Sequence, residues 1–343
     1  MTQDTLSDLL RGVRLRGAVF FDVSGSGDWA AEAPPGRELA PLLMPGVEHV
    51  MEYHAVAQGS CWAGIPGGPS VQLAAGDIVM FPQGDAHVVS SAPGLRGAGE
   101  GVSWLADARS ESLPLELAYT GRGVLYPKPD DAGADVTIIC GFLGCDLRPF
   151  NPLIAALPRM LHLRASASDR WMADFARQAV VESRAHRSGG EALLARMSEM
   201  MFVNAVRRYA DDLSAEGVGW LAGLNDRFVG RTLALMHEQP AHDWTVDEFG
   251  RLVGLSRSAL HERFVQLIGM PPMQYLAQWR MQVAARALLE TRASIASVAL
   301  EVGYDSDAAF TRAFKRAVGM PPAAWRREHD EGAISRVVKG ERA

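Results

Sequence analysis

Two stretches near the carboxy terminus of this chain repeat each other, and that duplication constrains the fold more than any other feature. Val253-Gly254-Leu255-Ser256-Arg257-Ser258-Ala259-Leu260-His261-Glu262-Arg263-Phe264 aligns with Val302-Gly303-Tyr304-Asp305-Ser306-Asp307-Ala308-Ala309-Phe310-Thr311-Arg312-Ala313-Phe314. Each copy runs on into Gly-Met-Pro-Pro, at Gly269 to Pro272 and at Gly319 to Pro322. Leu260 and Phe310, Phe264 and Phe314, and Gly269 and Gly319 are each 50 residues apart, whereas Gly254 and Gly303 are 49 apart, so one turn holds one extra residue. Two copies at this period do not make a solenoid.

Each copy has the parts of a helix-turn-helix. In the first, Thr245 and Glu248 form a capping-box pair that starts a helix near Val246, with the glutamate reaching back to the cap. Phe249, Leu252 and Val253 give that helix an apolar face, and Gly254 supplies the left-handed backbone that ends it. Ser256 caps a second helix whose Leu260 and Phe264 face inward, leaving Arg257, Ser258, His261, Glu262 and Gln266 outside. In the second copy Ser294 caps the helix bearing Ile295, Val298 and Ala299, and Gly303 makes the turn. The next helix buries Phe310 and Phe314 and shows Asp307, Ala308, Thr311, Arg312 and Lys315. Met273 to Thr291 reads as a connecting helix, with Tyr275, Trp279, Val283 and Leu288 for the core, that fixes the spacing of the two outer faces. Helical hairpins in an ordinary bundle would show the same pattern once, but duplication favours paired reading heads for successive major-groove faces about 34 Å apart.

Charge alone does not make that argument. The chain is net −6, and Arg231 to Arg327 holds 12 Lys plus Arg against 9 Asp plus Glu, a weak basic bias of +3. The residues themselves match a family. Arg280-Met281, Ala284-Ala285-Arg286, Leu288-Leu289, Ser294-Ile295, Val302-Gly303-Tyr304, Phe314-Lys315-Arg316, Gly319, Pro321-Pro322 and Trp325-Arg326 resemble the AraC/XylS family of bacterial regulators. The resemblance implies base contact at Ser258, His261 and Glu262 and at Asp307, Ala308, Thr311 and Arg312. Arg312, His261 and Thr311 are the best candidate readers, and Lys315, Arg316 and Arg257 suit the phosphate backbone. Glu262 and Asp307 depart from a basic pattern, though a carboxylate can accept from a cytosine amino group.

The amino-terminal half has a different texture. From Val19 to about Val102, short apolar runs alternate with glycine and proline, as in a small barrel or sandwich, and Val136 to Leu143 is a further strand. Gly76-Asp77-Ile78-Val79-Met80-Phe81-Pro82-Gln83-Gly84-Asp85-Ala86-His87 resembles the second motif of cupin barrels, while the His-x-His pair of the first motif is absent. His54 and His87 are left as two metal-type ligands, too few for a site, so no metal or other cofactor is assigned. Tyr53, His54, Trp62, Phe81, His87 and Trp104 are candidates to line an effector pocket, or plain core. Cys140 and Cys145 flank Gly141-Phe142-Leu143-Gly144, where a local turn would bring the sulfurs together as a regulatory thiol pair; buried structural thiols are the other reading. Asp169 to His186 and Glu191 to Leu213 read as amphipathic helices. Leu193, Met197, Met200, Met201, Asn204 and Arg208 fall on one face of the second, as core or a dimer seam.

The expected architecture is α+β multidomain: an N-terminal cupin-like β-barrel, a helical connector and a C-terminal all-α domain with two helix-turn-helix motifs. The expected boundaries are a sensor domain at 1–165, a linker and dimerisation segment at 166–226, a DNA-binding domain at 227–328 and a tail at 329–343. No apolar run approaches the roughly 18 residues of a membrane span. Met1 to Phe21 carries Asp4, Asp8, Arg11, Arg14 and Arg16 where a secretory signal would be apolar, so a cytoplasmic location is expected. The expected function is sequence-specific transcription regulation, by activation on the family resemblance. Its partners are double-stranded promoter DNA, a small-molecule effector or thiol oxidation sensed in the barrel, and a second copy in a homodimer. A metal-dependent cupin enzyme fused to a DNA-targeting module, and a DNA-architectural protein without ligand, are the alternatives to this non-enzymatic reading.

Overall fold

The computed structural model describes residues 4–97, 115–121, 123–126, 128, 133–166, 171–213 and 217–329. They fall into two compact units whose segments alternate along the sequence: Leu15–Cys145 with Leu157–Tyr209, and Met1–Arg14 with Asp146–Ala156 and Ala210–Ala343. The expected cuts at 165 and 226 therefore need correction. The first 14 residues and 146–156 belong with the carboxy-terminal unit, and the connector divides near Tyr209.

Helix α1 (Thr5–Gly12) precedes β1 (Arg16–Gly25), β2 (Ala30–Ala33), helix α2 (Gly36–Leu43), β3 (His49–Gln58), β4 (Ser60–Gly64), β5 (Ser70–Ala74), β6 (Ile78–Phe81), β7 (His87–Ser90), β8 (Leu115–Thr120), β9 (Gly123–Leu125) and β10 (Val136–Cys145). A seven-stranded sheet in the order β11-β6-β3-β10-β1-β8-β9, completed by β11 (Leu161–Leu163), faces a four-stranded sheet ordered β2-β7-β4-β5. Between β10 and β11 lies the short helix α3 (Pro152–Ala156). Strands β3 and β10 are buried on both faces, which is why they read as nearly continuous apolar runs rather than as alternation. One face looks into the barrel. The other is covered by helix α4 (Trp171–Ala185), and helix α5 (Gly190–Asp212) adds Ser198 beneath Tyr53. Buried Asp22 on β1 accepts from Arg184 Nε of α4 at 2.7 Å, tying helix to sheet.

The second unit is helical: α6 (Trp220–Asn225), α7 (Val229–Glu238), α8 (Val246–Val253), α9 (Arg257–Ile268), α10 (Pro272–Glu290), α11 (Ile295–Glu301) and α12 (Asp307–Val318). Its interior falls into two clusters served by the long helix α10. Phe249, Phe264, Tyr275 and Trp279 fill the first half, and Leu288, Phe310, Phe314 and Trp325 the second. Helix α1 packs on α7 and α10 within this unit. Gln282 of α10, 3% exposed, donates to the Gly12 carbonyl at 2.6 Å and accepts from the Phe150 backbone N–H at 3.0 Å. A buried amide pointing into apolar surroundings is tolerable because both its ends are satisfied.

Candidate functional site

Both helix-turn-helix units are built by local sequence. Thr245 Oγ1 accepts from Glu248 N at 3.1 Å and starts α8; Gly254, at φ 83°, ends it; Ser256 Oγ accepts from Ala259 N at 3.2 Å and starts α9. The second copy repeats the pattern with Ser294 capping α11 and Ser306 capping α12. Gly303 has φ 79°, and a Cβ there would lie 2.6 Å from the Ala241 carbonyl oxygen, so any side chain meets both strain and backbone. Two details differ from expectation. The Glu248 carboxylate bonds His242 Nε2 at 3.1 Å instead of closing the capping box, and Leu252 points outward at 56% exposure.

On α9 the side chains of Arg257, Ser258, His261 and Glu262 are exposed. On α12 Asp307, Ala308, Arg312, Lys315 and Arg316 are exposed and Thr311 is half-buried. The two faces differ in how far their cations are committed. Arg257 lies 3.4 Å from Asp247, and neighbouring Arg263 holds Asp226 at 2.5 Å. Among the described residues, the side chains of Arg312, Lys315 and Arg316 have no hydrogen bond or salt bridge within the protein. The halves are joined by Arg280 of α10, which belongs to the AraC/XylS-like pattern but is not among the expected DNA-contacting residues. Its Nε donates to Pro240 O at 2.6 Å, Nη2 to His242 O at 2.9 Å and Nη1 to Gly303 O at 3.4 Å. One guanidinium thus fixes the turn before α8 to the turn after α11.

Inside the barrel, alternation along β3 sends Glu52 and His54 to the same face. They meet His87, which opens β7, and the three offer ligand atoms that all lie within 4.8 Å of one another. His54 Nε2 and His87 Nε2 are 2.7 Å apart, and His87 Nδ1 donates to the Asp85 carbonyl at 2.9 Å. His54 Nδ1 lies 2.9 Å from Cys140 Sγ, and Phe81 stacks on His87 at 3.7 Å between ring centroids. Burial pushes the Glu52 carboxyl up to about 8 and the His87 imidazole down to about 4. It also drives His54 well below the usual imidazole value, with His87 adding to the effect. The cluster edges a cavity whose other walls are mainly apolar, including Phe21, Trp29, Leu117, Ile138 and Phe142, with Glu32 and Tyr119 also on the lining.

The family models fit this geometry. One described as Cupin matches residues 4–211, and one described as Helix-turn-helix domain matches 250–328. A putative AraC-like transcription regulator of Streptomyces lividans is 30% identical over 94% of this chain and 98% of its own length. The chain belongs to the AraC family of transcription regulators. A second AraC-like regulator, from Streptomyces antibioticus, is 28% identical over 94% of this chain and 98% of its own length. The DNA-binding domain of AdpA, solved with a target DNA, is 29% identical over 30% of this chain and 93% of that one, with a TM-score of 0.29. Among the described residues no helix is long and apolar enough to cross a membrane.

Within this AraC-family chain the barrel corrects several expectations. Tyr53 is buried facing the helices, where its hydroxyl meets Ser198 Oγ at 2.6 Å; Gly141 opposite leaves room for the ring. It does not line the cavity. Trp62 on β4 is also not among the cavity walls, Phe81 lies behind the cluster, stacked on His87 and edge-on to His54, and Trp104 lies outside the described residues. Cys140 and Cys145 both sit in the single strand β10, both buried, with no turn between them. Five residues of extended chain separate their positions by roughly 17 Å, so they cannot form a local pair. Burial first, with Glu52 and Cys61 adding, raises the Cys140 thiol well above its ordinary value. The member of the cluster that the sequence pattern does not single out is Glu52. Glu52-Tyr53-His54 keeps the spacing of a His-x-His pair with a carboxylate in the first place. On α5, Leu193 and Met200 are exposed and Met197 half-buried while Met201 is buried, so the methionine stripe is two faces rather than one.

Proposed function

We propose that this regulator reads a two-part promoter sequence with α9 and α12 held in one chain, and that a small molecule in the barrel cavity controls it. The observation that carries the reading is the pair of capped helices with exposed polar faces, joined by one rigid helix. Arg312, Thr311 and His261 take the base-reading role, with Ser258, Glu262, Asp307 and Ala308 beside them. Lys315, Arg316 and Arg257 take the phosphate role. The mainly apolar walls of the cavity and the Glu52, His54 and His87 cluster at its edge suit an effector with an apolar body and a polar head. Activation of transcription is the direction the family resemblance implies. Pairing of two copies through Leu193, Met197 and Met200 is supported by the exposure of Leu193 and Met200 and is checked by the sedimenting mass of the purified chain.

The test is selection of genomic DNA fragments by the purified full chain at near-physiological salt. Two enriched boxes about one helical turn apart, one of them relaxed by Arg312→Ala, are expected. Enrichment without any shared sequence would sink the reading.

A further inference from the structure

We infer that Arg280 is a positioning residue that sets the separation and rotation of the two reading helices, so that the chain accepts one spacing between its two DNA boxes and rejects neighbouring spacings. The inference rests on the two-box reading proposed above and adds what fixes the distance between the boxes.

Arg280 sits where α10 passes from one core to the other, between Trp279 in the first and Met281 in the second. A single helix crossing between two cores resists stretching but can still bend. The structure adds a second, non-covalent connection at this crossing. Gly303, in the turn between α11 and α12, lies against Ala241 in the loop before α8. A Cβ on Gly303 would stand 2.6 Å from the Ala241 carbonyl oxygen and 2.9 Å from its Cα. The Arg280 guanidinium spans this contact, donating to Pro240 O and His242 O at 2.6 and 2.9 Å on one side and to Gly303 O at 3.4 Å on the other. It also lies over the Tyr304 ring, 5.9 Å from the centroid.

Both sides of this clamp lead to reading elements. Tyr304 meets Phe310 of α12 edge-on at 5.7 Å between centroids, and Phe310 is fully buried. On the other side His242 Nε2 lies 3.1 Å from Glu248 of α8, and Trp244 stacks on Phe249 of the same helix at 4.6 Å. Helix α8 in turn packs on the reading helix α9. Movement of either head relative to the other is therefore felt at the Arg280 bonds.

Magnitude turns the clamp into selectivity. One extra base pair between the boxes moves one of them about 3.4 Å along the duplex and roughly 35° around it. Contacts of 2.6 and 2.9 Å cannot absorb such a shift and remain hydrogen bonds. The clamped chain must give up one box or break the clamp, whereas an unclamped chain can follow the DNA by flexing about α10. Arginine suits the task, because its planar fork addresses several carbonyls in a fixed geometry that a lysine ammonium does not reproduce.

The test uses the full chain and duplexes carrying the two boxes recovered by genomic selection, with the intervening sequence as selected, one base pair longer or one shorter. Affinity is read by fluorescence anisotropy at fixed salt. The wild-type chain should bind the altered spacings about tenfold more weakly or worse, comparable to losing a base pair of readout. Arg280→Gln and Arg280→Lys should cut that penalty to about threefold or less while keeping the preference for the box sequences. Tyr275→Phe is the control. It removes two buried hydrogen bonds inside the first half, so it should lower the melting temperature and leave the spacing penalty unchanged. Far-UV circular dichroism checks folding. Equal wild-type affinity for the three spacings, or a folded Arg280 variant with the full penalty, overturns the inference and leaves two-box reading in place. Unfolding of both Arg280 variants makes the residue a stability element only and overturns it as well. Recovery of no two-box site discards the two-box reading, and the inference with it.

Discussion

The two helix-turn-helix units are copies in sequence but not in their interiors or their charge. The first half centres on a hydrogen-bonded aromatic network: Trp220 Nε1 donates to Tyr275 Oη at 2.8 Å, the same oxygen meets His237 Nε2 at 2.8 Å, and His237 stacks on Trp279 at 3.7 Å. The second half is apolar throughout, from Met281 and Leu288 to Phe310, Phe314 and Trp325. Their faces diverge as well. Cations at the first are engaged by Asp247 and Asp226, while Arg312, Lys315 and Arg316 at the second stand unengaged. Duplication therefore kept the backbone geometry, set by serine caps and left-handed glycines, and let the two halves diverge. The second suits tight electrostatic attachment; the first suits discrimination by neutral and acidic groups.

The strongest way to break this comparison is through the interiors. Phe314→Ala should cost about 3–5 kcal/mol in urea unfolding of the full chain, because Phe314 is fully buried among rigid neighbours. A loss below about 1 kcal/mol would mean that the second half is not packed as described. Acid should separate the halves next. Burial holds the His237 imidazole down at about 3, so below an unfolded value of 6.5 the unfolded chain binds the extra proton. Stability contributed by neutral His237 is complete above pH 6.5 and is lost as pH falls toward 3, by up to about 1.4 kcal/mol per unit. His237→Phe should flatten that slope; an unchanged slope would place the acid sensitivity elsewhere.

The faces give smaller effects. Arg312→Ala should weaken promoter binding by about 1–3 kcal/mol and relax one box, as read by fluorescence anisotropy on altered sites. Lys315→Ala should weaken all sequences alike and reduce the salt slope by about one. Arg257→Ala, whose guanidinium already leans on Asp247, should change the slope less. Equal slopes for the two variants would erase the proposed division between the heads.

Much of the reading unit was legible because its signals are local. Thr245, Ser256 and Ser294 announce helix starts, and Gly254 and Gly303 announce turns, within four residues of what they control. Arg280 stands in the family pattern, but its clamping role was illegible because its partners are backbone carbonyls 40, 38 and 23 residues away, and a carbonyl leaves no trace in a sequence. Leu252 misled because an apolar residue at helical spacing is normally internal, and here it is not. In the barrel the strands could be read, but which face of β3 looks inward could not, so Tyr53 stayed open between pocket wall and the core where it lies, and Glu52 was not singled out. For Cys140 and Cys145 the reading as buried thiols holds and the local-turn pairing does not. Glycines between them suggested a turn, yet Gly141 serves to admit the Tyr53 ring.

Gln282 meets the carbonyl of Gly12 across 270 positions of chain, and this has a consequence for biosynthesis. Helix α1 is made some 270 residues before the α10 surface on which it docks. At about 5–20 residues per second, Leu9 and Val13, both buried in the finished protein, wait roughly 15–50 s for that surface. A fragment cut at residue 227 to isolate the reading heads would lack both the helix and the Phe150 segment that Gln282 holds. Such a fragment exposes the amide's two partnerless ends to water and bares the patch that Leu9 covers. Adding a peptide spanning residues 4–14 in trans should restore part of its solubility.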